Sequence, residues 1–132
     1  MQLFGLIGFP LTHSFSKKYF TEKFQELGLA LSNKYELFEM EDASNFLKLF
    51  NENPDLKGVN ITIPHKQNIF QYLDGLDISA EKVQAVNVVK KTTDNKLIGY
   101  NSDYYGFKRS LLEFLGKGFN IVNLKALVLG YG

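Results

Sequence analysis

A chain of 132 residues with 45% hydrophobic and 22% charged side chains is long enough to bury a core and too apolar to be disordered. Its formal net charge of +1, with lysines scattered rather than clustered, gives no electrostatic footprint for nucleic acid or a membrane surface. The lack of cysteine excludes disulfides, thiolate metal sites and cysteine nucleophiles. With no leader-like segment and no apolar run of bilayer length, the expected compartment is cytoplasmic.

Leu3 to Gly8 reads as a short apolar strand, and the loop FPLTHSFS follows. A helix is expected from about Lys17 to Leu27, with Phe20, Phe24 and Leu27 on one face and Gly28 as its stop. Lys34 to Met40 alternates as a second strand, setting Tyr35 and Leu37 against Phe38 and Met40. Asp42 is the expected N-cap of a helix carrying Phe46, Leu47 and Phe50, and Pro54 lies past its end.

The third strand, GVNITIPHK from Gly58 to Lys66, is the most informative stretch. Val59, Ile61 and Ile63 share one face, Asn60 and Thr62 the other, and Pro64 ends the ladder by removing a donor. A helix beginning at Pro64 or His65 would use Ile69, Phe70 and Leu73, and a short one would span Ile78 to Gln84. Val86 to Lys91 and Leu97 to Tyr100 flank Thr93-Asp94-Asn95 as a hairpin. After Asp103 the spacing predicts a helix with Phe107, Leu111, Phe114 and Leu115 on one face, ended by Gly116. Leu124 to Leu129 reads as a buried parallel strand running into Gly130-Tyr131-Gly132, the first half of a dinucleotide-binding turn. Strands alternating with helices predict an α/β fold of three layers, α/β/α. Its sheet would be six-stranded, mixed and mostly parallel, with one antiparallel pair.

Four groups of polar residues lie at strand ends or in the loops after them, where open α/β sheets bind ligands. Ser14 and Ser16 precede the first helix, where serines most often cap but can also cradle a carboxylate. His13 beside them has neither a triad order nor metal spacing around it. Asn60 and Thr62 form a polar strand face leading to Lys66, whose ammonium in a first helical turn would oppose the helix dipole. The plain alternative is a strand end with a solvated lysine. Asn87 is a lone amide between two valines and must find partners if buried. Asn101-Ser102-Asp103 stand at the start of the last long helix, where Asp103 is either a simple N-cap or an acceptor facing the same cleft.

The pieces GFPLTHSFS (8–16), GVNITIPHK (58–66), AVN (85–87), GYNSDYYGF (99–107) and LVLGYG (127–132) together resemble the shikimate dehydrogenase family. The resemblance implies reversible reduction of 3-dehydroshikimate to shikimate with NADPH. It implies that residues 1–120 are a substrate-binding catalytic domain. Residues 121–132 would be the first strand and glycine turn of a truncated dinucleotide-binding domain. It assigns the substrate carboxylate to Ser14 and Ser16, the ring hydroxyls to Asn60, Thr62, Asn87 and Asp103, and catalysis to Lys66 and Asp103. NADP would sit mainly on the missing C-terminal domain, with Gly130 and Gly132 opening its turn, and no metal is implied.

The only implied partner is the small ring acid, with homodimerisation left open. A carboxylate beside Lys66 favours the charged ammonium, so donor and electrostatic anchor is its expected role. The chain departs from the family's habit at Lys17 to Phe20, Gln84, Val88, Ser102 and Tyr131, none of them an assigned site residue. Two alternatives stay open: a quinate/shikimate dehydrogenase, which the joint presence of Ser14, Ser16 and Thr62 disfavours, and a non-catalytic small-acid-binding module. Without the dinucleotide-binding domain, these 132 residues alone are expected not to turn over.

Overall fold

The computed structural model describes residues 1–12, 14–116, 118, 120, 122 and 124–130, so the readings at His13, Tyr131 and Gly132 lie outside the described residues. In chain order the elements are β1 (Gln2–Gly8), α1 (Ser16–Glu26), β2 (Asn33–Glu39), α2 (Phe46–Glu52), β3 (Leu56–Ile61), β4 (Gly75–Leu76), α3 (Ile78–Val83), β5 (Val88–Lys91), β6 (Leu97–Tyr100) and α4 (Ser102–Leu115). The strands form one six-stranded sheet in the order β2-β1-β3-β5-β6-β4. Only β5 is reversed, running antiparallel to both β3 and β6, while β1 pairs parallel to β2 and β3, and β4 to β6.

The strand periodicity builds two separate hydrophobic faces. Leu3 and Ile7 of β1, Phe38 of β2 and Val59 and Ile61 of β3 join Phe46 and Phe50 of α2 in the larger cluster. Phe4 and Leu6, with Tyr35 and Leu37, meet Phe20 and Phe24 of α1 on the opposite face. Helices therefore cover both sides of the sheet, as the three-layer expectation requires. Lys17 of α1 also pairs with Glu36 of β2 at 2.5 Å, and Glu36, flanked by Lys34 as well, is held below the usual carboxylate range.

Four expectations are corrected. The strand starting at Gly58 begins two residues earlier and ends at Ile61, leaving Ile63 73% exposed rather than on the apolar face. The backbone turns there: His65 N–H donates to Thr62 C=O at 3.0 Å, and Phe9 N–H to Ile63 C=O at 3.0 Å. No α-helix follows Pro64. The chain instead makes turns and a 3₁₀ segment, Phe70–Tyr72, burying Ile69 ahead of β4 at Gly75. The sheet's sixth strand is β4, a two-residue edge with no readable period, and Leu124–Leu129, expected as the first strand of the dinucleotide-binding domain, forms no strand among the described residues. Among the described residues nothing pairs with that segment, and Leu127, Val128 and Leu129 are more than four-fifths exposed. Finally, α4 forms where expected and packs on α3, but Phe107 and Phe114 are exposed rather than covered.

Gly5, at the centre of β1, has no room for a side chain. A Cβ there would stand 2.6 Å from the Glu36 carbonyl oxygen and press into the Phe38 ring. Since the carbonyl is fixed in the β1–β2 ladder, Gly5→Ala is expected to cost about 1–3 kcal/mol of stability. Urea unfolding of the two proteins measures it.

Candidate active site

The carboxyl ends of β1, β3 and β6 and the entry to β5 share one end of the sheet, and the polar loops gather there. At the entry to α1, Ser14 Oγ accepts the Ser16 N–H at 3.3 Å, and Ser14 N–H donates to Leu11 C=O at 3.1 Å. Ser14 thus takes the turn-closing task that the plain reading gave to both serines. Ser16, half-buried as the first residue of α1, spends no side-chain bond on capping and stands beside the Tyr35 phenol.

On β3, Asn60 Oδ1 accepts from the Tyr35 hydroxyl at 2.7 Å. Both residues line a cavity of about 550 Å³ on the α1 side of the sheet, walled by Phe4, Phe20, Val59 and Val88. Thr62 continues the β1 ladder, its N–H donating to Ile7 C=O at 2.9 Å, and its methyl group sits where a side chain on Gly8 would be.

Lys66 does not occupy a helical first turn, so the dipole argument for its unusual placement falls away. Its carbonyl accepts the Val86 N–H at 2.8 Å, which fixes the residue against the start of the β5 loop. The ammonium then reaches Asp103 Oδ2 at 3.3 Å. The two line a second cavity, of about 610 Å³, with Val83, Ala85, Asn101 and Tyr104. With Lys66 37% and Asp103 67% exposed, solvent screens the pair, so its contribution to stability is small. What it sets is the direction of the ammonium.

Asp103 is free for this because it is not the cap of α4. Asn101 caps the helix, its Oδ1 accepting the Tyr104 N–H at 3.0 Å. The Asn101 amide donates to Ala85 C=O at 2.9 Å, and its N–H donates to Ser79 Oγ at 3.0 Å. Asn87 secures the same junction: its Oδ1 accepts the Ser102 N–H at 2.8 Å and its Nδ2 donates to Ser102 Oγ at 3.0 Å. The lone amide does find partners, as burial demands. Ser79 is itself held by Asp77, whose carboxylate lies below its usual range because the Ser79 hydroxyl and N–H both donate to it.

Of the residues expected at the site, the structure brings Lys66 and Asp103 into contact and places Asn87 on the residue next to Asp103. Asn60 faces the other cavity. Gly130 adopts φ +99°, backbone that only glycine takes freely, which suits a turn residue. Sequence reasoning missed Tyr35, Ser79 and His65, and it gave the cap of α4 to Asp103 rather than to Asn101 beside it. His65 is 1% exposed and its Nε2 bonds Met40 C=O at 2.5 Å, tying the turn before Lys66 to the end of β2. Tyr35 and His65 read as a strand aromatic and a helix-start histidine because their partners are 25 residues away in sequence.

Burial pushes the Tyr35 phenol far above its ordinary value of 10.0, with the Ser16 hydroxyl opposing part of the rise. A folded state that holds a proton more tightly than the unfolded chain loses stability once the unfolded group ionises. The protein is therefore expected to lose stability as pH rises above about 10, with the stabilising term fully present below it. Tyr35→Phe should remove that slope, read from urea midpoints at pH 8 to 11.

Comparison with known proteins bears on the same region. The family model described as the shikimate dehydrogenase substrate binding domain matches residues 6–89. A shikimate dehydrogenase (NADP(+)) of Clostridium beijerinckii is 45% identical over 109 residues, 81% of this chain and 39% of its own length. One from Bacillus subtilis is 38% identical over 99% of this chain and 45% of its own. The chain thus spans less than half the length of these relatives. The crystal structure of the Listeria monocytogenes shikimate 5-dehydrogenase, in complex with shikimate and NAD, superposes with a TM-score of 0.75. It is 37% identical, over 86% of this chain and 39% of its own.

Proposed function

This chain belongs to the shikimate dehydrogenase family, and we propose that its parent protein catalyses the NADP-dependent, reversible reduction of 3-dehydroshikimate to shikimate. Residues 1–120 are then the substrate-binding catalytic domain, and 121–132 open the dinucleotide-binding domain. The observation that carries the reading is the Lys66–Asp103 pair, 3.3 Å apart in a cavity whose rim is held by two buried asparagines. Such a site offers one mobile cation, one carboxylate and several fixed polar groups, which suits an acid bearing ring hydroxyls.

In this reading Ser14 and Ser16 hold the substrate carboxylate at the start of α1. Asn60, Thr62 and Asn87 receive ring oxygens, and Asp103 accepts from a hydroxyl while orienting Lys66. NADPH, held mainly by the rest of the parent protein with Gly130 and Gly132 in its turn, supplies the hydride. Lys66 stabilises the charge that grows on the ketone oxygen and passes it a proton. In the reverse direction the neutral lysine receives that proton, and Asp103 keeps the amine in place. Among the described residues no helix is long and apolar enough to cross a bilayer, consistent with the cytoplasmic location proposed for the enzyme.

In the full-length parent protein, Lys66→Ala is expected to lower kcat by at least about a thousandfold while changing shikimate affinity less than about tenfold. Steady-state kinetics and shikimate titration of the same preparations measure both. Near-normal turnover would remove Lys66 from the chemistry. Wild-type kcat/KM measured with shikimate and with quinate decides between the two acids, shikimate being the expected preference.

A further inference from the structure

The Tyr35 ring has an ordinary explanation and its hydroxyl does not. The ring stacks on Phe20 at 4.5 Å with 14° between planes, inside the α1-side core, and is 4% exposed. Phenylalanine would pack equally well without burying a polar atom. The hydroxyl instead crosses β1 to reach Asn60 Oδ1 on β3 at 2.7 Å, and it stands beside Ser16 on α1.

A carboxamide has one acceptor end and one donor end, and which end meets a ligand depends on what holds the other. The phenol keeps its proton because burial disfavours the phenolate, so it is a permanent donor toward Oδ1. That leaves the Nδ2 hydrogens as the end of Asn60 available to a ligand, and among the described residues no hydrogen bond uses them. Asn87 is fixed in the same sense, its Oδ1 being taken by the Ser102 N–H.

We propose that Tyr35 is a positioning residue that locks the Asn60 amide as a hydrogen-bond donor, so that the ring oxygen opposite Asn60 is bound as an acceptor. This deepens the function proposed above and rests on it for the identity of the substrate. Tyr35 acts through Asn60, and its hydroxyl stands beside Ser16, the first residue of α1.

The test uses the full-length parent protein and a double-mutant cycle. Tyr35→Phe, which keeps the ring, is expected to raise KM for shikimate about tenfold with kcat within about twofold, the loss of one aligned hydrogen bond. Asn60→Ala should raise KM at least as much, and Tyr35→Phe added to it should change KM by less than about twofold, because the hydroxyl then has nothing to orient. A Tyr35→Phe protein with unchanged KM, or fully additive effects in the double variant, would overturn the inference. A wild-type protein without turnover on any ring acid would defeat the proposed function alone. The side-chain amide resonances of Asn60 then decide: the inference expects them to shift and exchange faster with solvent in Tyr35→Phe, and unchanged resonances overturn it.

Discussion

A buried carboxamide that leaves either end unpaired costs about 1–3 kcal/mol, and the architecture of the cleft follows from how two of them avoid it. Asn87 and Asn101 are 8% and 5% exposed, and between them they bond Ser102, Tyr104 and Ala85. These contacts stitch the loop entering β5 to the loop leaving β6. Lys66 is drawn into the same junction through its carbonyl, which accepts from Val86. Because the caps and turns are supplied by other residues, Asp103 and Lys66 keep their charged ends for each other and for a ligand. A change at Asn101 would therefore be felt at Asp103, although the two side chains make no direct bond.

Much of this was legible in the chain. The period-two pattern fixed the faces of β1, β2 and β3, and Val59 and Ile61 lie in the core opposite Asn60, as the alternation requires. Gly28, with φ +68°, ends α1, and Asp42 caps the turn before α2 through Ser44. What was not legible depended on distance in sequence or on brevity. A strand of two residues leaves no pattern, so β4 could not be seen, and Leu124–Leu129 carries a strand's composition although among the described residues nothing pairs with it. Ile63 fits the alternation by count, yet the regular strand ends at Ile61 and the Ile63 side chain is exposed.

The site divides along the same line. Local spacing was enough to single out Ser14, Ser16, Asn60, Thr62, Lys66, Asn87 and Asp103 as polar groups that packing does not require. It could not say which of them would be occupied by the protein itself. Ser14 closes a turn, Asn87 and Asn60 each have their acceptor end engaged, and the cap of α4 is Asn101 rather than Asp103. Those assignments need the long-range partners Tyr35 and Ser102, which no window along the chain places together.

The reversal of β5 has a consequence at the far end of the sheet. Asn87 stands at the entry of that strand and Asn101 follows the exit of β6, so the hairpin tip between them, Thr92–Lys96, points away from the cleft. The tip is closed on itself, with Thr92 Oγ1 accepting the Lys96 N–H at 3.0 Å and Asn95 in the left-handed region at φ +62°. It is thus a handle on the molecule: a fluorophore, affinity tag or surface tether attached there would report on or immobilise the domain from its opposite pole.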